Sequence, residues 1–194
     1  MKPIPDCTRR SLLRGTTLTV GGLLMHAPSI SQAVPLVPAP RRPEVGSSAL
    51  RLHHLHTGET MAFARDATPG EKPGLMALLN RFLRDHYSGV QGTMDPGLID
   101  QIRRLQQVMA SDGEIEVISG YRSSVTNEWL RRRGGGGVAT RSLHLQGRAL
   151  DLRIAGVALP VLRDAALDLR AGGVGFYPES NFLHIDTGPV RRWG

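Results

Sequence analysis

Apolar residues recur along the chain with two different periods, and the switches between them divide the sequence into elements. From Leu50 to Ala64 the period is two: Leu50 and Leu52 alternate with Arg51 and His53, Thr57-Gly58-Glu59 supplies a turn, and Thr60 to Ala64 returns. A first hairpin is expected there. From Leu75 to His86 the period becomes helical, with Leu75, Leu78, Leu79, Phe82 and Leu83 on one side and Arg81, Arg84 and Asp85 on the other, before Ser88-Gly89 ends it. Asp95-Pro96 fits an N-cap and first helical position for a second helix, whose stripe is Leu98, Ile99, Ile102, Leu105 and Val108-Met109. These two helices are expected to pack on one face of a sheet and are assigned no chemistry. Glu114 to Ile118 alternates as a strand, and Thr126 to Arg133 suits a short helix. Pro160 to Arg170 predicts a further helix, stopped by Gly172-Gly173. Val174 to Tyr177 and Phe182 to Asp186 read as two strands joined by a turn at Pro178-Glu179-Ser180-Asn181, and no internal repeat is present.

The chemistry concentrates between and within these strands. Ser142 to Asp151 holds His144 and Asp151, an imidazole and a carboxylate, on either side of Gly147, where the backbone can turn or approach another group closely. Asp151 leads into Leu-Arg-Ile, a candidate strand. His184 and Asp186 stand at period-two spacing in the strand Phe182 to Asp186. Two such strands side by side bring His144, Asp151 and His184 to one point, and three protein ligands with an open fourth position make a catalytic zinc site. Arg122, in the polar turn Ser119-Gly120-Tyr121-Arg122-Ser123 at a strand's end, suits substrate contact, although a solvated arginine is an equal reading of that stretch alone. His53, His54 and His56 are read as polar residues of a half-exposed strand. Gly134 to Gly137 reads either as a mobile lip over the site or as a plain surface loop, and no Lys-Ser or Lys-Thr follows to make it a phosphate loop. Neither Ser119 nor Ser142 lies in a Gly-x-Ser-x-Gly elbow, so a serine nucleophile is disfavoured.

Charge and composition add a compartment. Thr8-Arg9-Arg10-Ser11-Leu12-Leu13-Arg14, the apolar run Gly15 to Met25 and the small residues of Ser31-Gln32-Ala33 predict a twin-arginine export signal over 1–33, cleaved near Ala33. That apolar run is far short of the ~20 residues needed to span a bilayer, so stable membrane insertion of the mature protein is not expected. Pro35, Pro38, Pro40 and Pro43 mark 34–49 as an extended linker, leaving 50–194 as the folded domain. Cleavage would remove Lys2, Arg9, Arg10, Arg14 and Asp6, leaving 20 basic and 16 acidic residues, so the net charge falls from +7 to +4. A mild positive balance suits an anionic polymer such as the cell wall. Nucleic acid is disfavoured, since no basic block is interleaved with aromatics. Cys7, the single cysteine, lies before the apolar run and leaves with the signal, so any metal must be held by His, Asp or Glu.

Taken together, Ser119-Gly120-Tyr121-Arg122-Ser123, Ser142-x-His144-x-x-Gly147-x-Ala149-x-Asp151 and Phe182-Leu183-His184-Ile185-Asp186 resemble the D-Ala-D-Ala metallopeptidase and hedgehog superfamily, with its YcbK-type branch of exported murein endopeptidases as the nearest match. The resemblance runs from about His56 to Trp193. It implies an α+β fold, an antiparallel sheet with helices packed on it, and one Zn2+ held by His144, Asp151 and His184. It also implies that Arg122 binds the substrate or its polarised carbonyl, and that the substrate is a peptide bond of peptidoglycan, cut in the periplasm. A monomer is expected. One position departs from the pattern. Peptidases of the VanX type carry a catalytic Glu or Asp three residues before the last ligand, where this chain has Asn181. Glu179 and Asp186 are the available carboxylates, with Glu179 favoured as the general base and Asp186 as its rival or as an orienting partner of a ligand. A zinc-holding wall-binding module without turnover is the alternative to a peptidase, and a metal hydrolase acting on an ester or a free dipeptide is a further one.

Overall fold

The computed structural model describes residues 49–133 and 138–194. The expected signal over 1–33, the linker as far as residue 48 and the run Gly134 to Gly137 fall outside them, and Ala49, expected to close the linker, instead opens the first strand. Seven strands form one sheet in the order β2-β1-β3-β4-β6-β5-β7. They are β1 (Ala49–His54), β2 (Thr60–Ala64), β3 (Ile115–Ser119), β4 (Ala149–Ile154), β5 (Gly173–Tyr177), β6 (Phe182–Asp186) and β7 (Arg191–Trp193). Four α-helices accompany them: α1 (Pro73–Phe82), α2 (Gly97–Val108), α3 (Ser124–Arg133) and α4 (Leu159–Leu169).

The α+β class is as expected, but the sheet is mixed rather than antiparallel. β1 runs parallel to β3 and β5 parallel to β7, while the remaining pairs are antiparallel. Parallel neighbours need a long connection, and α1 and α2 supply it between β1 and β3. Strand alternation is the same for both pairings, so it carries no signal for direction. Smaller differences have local causes. The first helix stops at Phe82 rather than His86 because the Asp85 carboxylate accepts from the Tyr87 and Ser88 N–H groups (3.0 and 3.4 Å) and folds the chain into a turn. The second helix begins at Gly97, one residue after Pro96, and Asp95 caps it by accepting from Gly97 N–H at 2.9 Å.

Alternation on the central strands separates core from site. Leu150, Leu152 and Ile154 of β4 and Leu183 and Ile185 of β6 are buried together with Leu79, Leu98, Ile102, Leu105 and Leu162 from the helices. Asp151 of β4 and His184 and Asp186 of β6 occupy the intervening positions, and side chains of successive residues point to opposite faces. Asp151 stands directly opposite His184 in the β4–β6 register. A one-residue slip of β6 would send His184, Leu183 and Ile185 to the wrong faces, so packing on one side fixes the facing pair Asp151 and His184 on the other. Truncating a core leucine such as Leu152 costs about 2–5 kcal/mol and loosens that register.

Candidate metal centre

His144 reaches the site from a short 3-10 turn, Leu143–Gln146, that ends in left-handed Gly147 (φ 67°). A Cβ on Gly147 would lie 2.0 Å from the Thr93 carbonyl oxygen, so the turn can close against the Thr93 backbone only with glycine. The turn places His144 beside the facing pair Asp151 and His184. His144 Nε2 lies 3.2 Å from Asp151 Oδ1 and 3.2 Å from His184 Nδ1, and His184 Nδ1 lies 2.9 Å from Asp151 Oδ1. Among the described residues this is the one group of three His, Cys, Asp or Glu side chains whose ligand atoms converge in this way.

The groups behind the triangle decide what it can hold. His144 Nδ1–H donates to the Gly120 carbonyl at 2.6 Å, so Nε2 presents its lone pair to the centre. His184 Nε2–H donates to Asp186 Oδ2 at 3.1 Å, which turns the Nδ1 lone pair to the same point. Three electron-rich atoms therefore face one another in a buried pocket, an arrangement that repels itself unless a cation sits between them. Donors of a tetrahedral zinc at about 2.0–2.1 Å stand about 3.3 Å apart, close to the spacing here. The donor set fits zinc: two nitrogens, one carboxylate oxygen and no sulfur.

The proton affinities follow from the same geometry. Burial lowers the His144 pKa, partly opposed by the Asp151 charge, so its ring stays neutral and ready to ligate. Burial opposes ionisation of Asp151, but the surrounding charges and hydrogen bonds, the Arg122 guanidinium and the His184 ring among them, outweigh it and hold the carboxyl well below the usual range. Burial also works against protonation of His184, yet hydrogen bonds and charge from Asp151 and Asp186 raise its pKa. Proton and metal thus compete for the same Nδ1.

The other predicted residues divide. Arg122 Nη2 donates to Asp151 Oδ2, its Nε donates to Ser119 Oγ at 3.0 Å, and its side chain also lines the cavity. The guanidinium occupies one carboxylate oxygen and leaves Oδ1 for the metal. Asp186 is fully buried and meets five donors: His184 Nε2, the N–H groups of Gly173 and Gly188 (2.9 and 2.8 Å), and both Arg191 nitrogens at 3.0 and 2.6 Å. It orients His184 and does not line the cavity. Glu179 is exposed in the β5–β6 turn, next to Ser180, which does line the cavity, while Glu179 itself does not. Asn181 adopts a left-handed conformation (φ 52°) in that turn, a backbone role asparagine tolerates.

A cavity of about 410 Å³ opens over the triangle, and sequence reasoning missed part of its wall. Arg191 and Trp193 of β7 belong to it. Trp193 packs on His184 with ring centroids 5.1 Å apart, and its Nε1–H donates to Tyr177 Oη at 2.8 Å. The available signal was a run of basic and aromatic residues, Arg191-Arg192-Trp193, just after the last ligand strand.

The chain is similar to known peptidases over most of its length. The family model of peptidase M15_2, described as peptidoglycan L,D-endopeptidase MepK, matches residues 42–193. The chain is 43% identical over 188 residues to the peptidoglycan L,D-endopeptidase MepK of Escherichia coli K12, covering 97% of this chain and 98% of that protein. It is 38% identical over 177 residues to the probable peptidoglycan L,D-endopeptidase MepK of Haemophilus influenzae, covering 91% and 92%. No solved structure matches. The chain belongs to the peptidase M15_2 family, within the D-Ala-D-Ala metallopeptidase superfamily.

Proposed function

We propose that this protein is a periplasmic zinc L,D-endopeptidase that hydrolyses amide bonds in peptidoglycan peptides and so remodels the cell wall. The observation that carries the reading is the triangle of His144, Asp151 and His184, with lone pairs converging and a cavity open above it. The names of the relatives supply the bond type. Among the described residues no helix is long and apolar enough to cross a membrane. Export by the twin-arginine signal, cleavage near Ala33 and a monomeric mature chain belong to the same proposal and rest on the sequence alone.

In this reading His144, Asp151 and His184 would hold the ion, which would supply Lewis acidity and a nucleophile at neutral pH. Gly120 and Asp186 lock the two rings in the ligating tautomer. Arg122 fixes Asp151 and turns positive charge toward the cavity, where it stabilises the substrate carbonyl as charge grows on its oxygen. Glu179 is the favoured proton acceptor. The carboxylates nearer the metal, Asp151 and Asp186, are already engaged, and Glu179 stands on a turn flanked by the cavity residues Tyr177 and Ser180. Asp186 is better suited to positioning His184.

The test is digestion of purified peptidoglycan by the mature domain, with and without a chelator, beside His184→Ala and Glu179→Gln. Chelator-sensitive release of peptide-cleaved fragments, read by mass spectrometry and absent in His184→Ala, is expected. A folded, zinc-loaded protein that binds murein without releasing fragments would replace the peptidase with a wall-binding module. Full activity of Glu179→Gln would remove Glu179 from the mechanism.

A further inference from the structure

A second set of side chains lies beyond the turn that carries Arg122. Tyr87, in the loop after α1, and Trp129, on α3, are 54% and 40% exposed, with ring centroids 5.1 Å apart. The Arg133 guanidinium lies over the Trp129 ring, 4.8 Å from its centroid, and His86 packs on Tyr87 at 4.2 Å. Val125, one turn before Trp129, is 76% exposed. Neither the Tyr87 hydroxyl nor the Trp129 indole N–H has a hydrogen-bond partner among the described residues. A surface row of stacked planar groups with polar tips still unused is the composition of a recognition surface, since rings of this kind combine large contact area with a hydrogen-bonding end.

The row and the cavity share one scaffold. Ser123, next to Arg122, donates its N–H to Asp85 Oδ2 at 2.9 Å, and its hydroxyl meets Ser88 Oγ at 3.4 Å, so the Tyr87 loop is tied to the substrate-contact turn. On the other side of α3, Asn127 Nδ2 donates to the Ala139 carbonyl (3.2 Å) and Arg131 to Thr140 Oγ1 (2.9 Å). Those bonds hold the segment whose Ala139 and Arg141 line the cavity. A polymer whose scissile bond sits in the cavity must continue over the surface around it, and α3, tied to the cavity wall through Asn127 and Arg131, is one such surface.

We propose that Tyr87, Trp129 and Arg133 form an extended subsite for the glycan of peptidoglycan, while the cavity takes the peptide. The proposal rests on the peptidoglycan reading above. Sugar rings offer C–H faces to aromatic groups and hydroxyl and acetamido oxygens to the Tyr87 and Trp129 donors. Arg133, with Arg141 at the cavity wall, offers positive charge to the carboxylates of attached stem peptides, while Arg132 is paired with Glu128 at 3.0 Å. A bilayer surface is the less suitable occupant, because Val125 is the aliphatic side chain that flanks the rings and their tips are polar.

The experiment compares two substrates: intact sacculi, and glycan-free cross-linked stem peptides released from them by an amidase. Tyr87→Ala/Trp129→Ala should lose about tenfold in sacculus binding by sedimentation and in sacculus hydrolysis, with hydrolysis of the free peptides within about twofold of wild type. Trp129→Phe, which keeps a ring, should recover most of the loss. Equal loss on both substrates would mean that the patch only supports the fold and would overturn the proposal. Unchanged sacculus binding would overturn it too, and loss confined to vesicles of anionic phospholipid would assign the patch to a membrane. A wild-type protein that cleaves neither substrate would sink the peptidase reading instead, and sacculus sedimentation of the double variant would still decide this one.

Discussion

Two histidine clusters sit in this molecule, and they look alike in the sequence. One is the pair His144 and His184 with Asp151. The other is His54 and His56, from the first hairpin, with His86 from the loop after α1. In the first, ring centroids are 5.0 Å apart at 67°, and each ring has an acceptor behind it that turns a lone pair to the centre. In the second, His56 and His86 stack in parallel at 4.3 Å and 5°, so no ion can lie in the plane of both rings. His54 Nδ1 accepts from His56 N–H at 3.3 Å, which leaves the proton on Nε2, buried and without a partner. The first cluster also contains a carboxylate among its converging atoms. Proximity of imidazoles is therefore not what makes a metal site. The acceptors that set each tautomer do.

That contrast can be broken at its strongest point first. His184→Ala should abolish stoichiometric zinc binding and bring peptidoglycan hydrolysis to background, measured by metal analysis and fragment release. Retained zinc would mean that the ion is held elsewhere. Asp186→Asn should keep the three ligands but weaken the grip on His184, with metal affinity falling about 10–100-fold in a chelator competition. Arg191→Lys, which removes the paired contact to Asp186 but keeps a charge, should fall between wild type and Asp186→Asn.

The sequence made the convergence of His144, Asp151 and His184 legible because each lies on or beside a short element with an unambiguous pattern. Period-two alternation in Phe182 to Asp186 put His184 and Asp186 on the face opposite Leu183 and Ile185, and that is where they are. What alternation could not carry was strand direction, which depends on where α1 and α2 return the chain. Nor could it show that β7 would pair with the outer edge of β5 and bring Arg191 and Trp193 to the cavity. The reading of His54 as a half-exposed strand residue also missed. His54 is completely buried beneath His86 and beside Phe82, and burial was decided by a loop far away in sequence. Asn181 was read as a lost base, and its left-handed turn conformation adds a structural reason for asparagine there.

The second cluster should report on stability rather than metal. Burial, with smaller help from His56, pushes His54 down to about 4 from an ordinary 6.5. The unfolded chain therefore takes up a proton near pH 6.5 that the folded chain refuses until about pH 4. Stability from this group is complete above pH 6.5 and is lost as pH falls through that window. At about 1.4 kcal/mol per pKa unit, the loss reaches roughly 3 kcal/mol at pH 4. His54→Phe should flatten that part of the Tm-against-pH curve and leave zinc stoichiometry unchanged. A slope as steep as that of wild type would place the acid sensitivity elsewhere.

The smallest effect belongs to His56→Ala. His56 is exposed, and its ring contributes a stacking contact to His86 and a weak opposing charge to His54. Losing it should change unfolding free energy by no more than about 0.5 kcal/mol at pH 7, as for most surface substitutions. It should also raise the apparent pKa of His54 slightly, because one neighbouring positive charge at acid pH is gone. Zinc stoichiometry and affinity should match wild type. If His56→Ala instead lowered metal content, the stacked pair would be binding an ion despite its parallel rings, and tautomer-setting acceptors would no longer separate the two clusters.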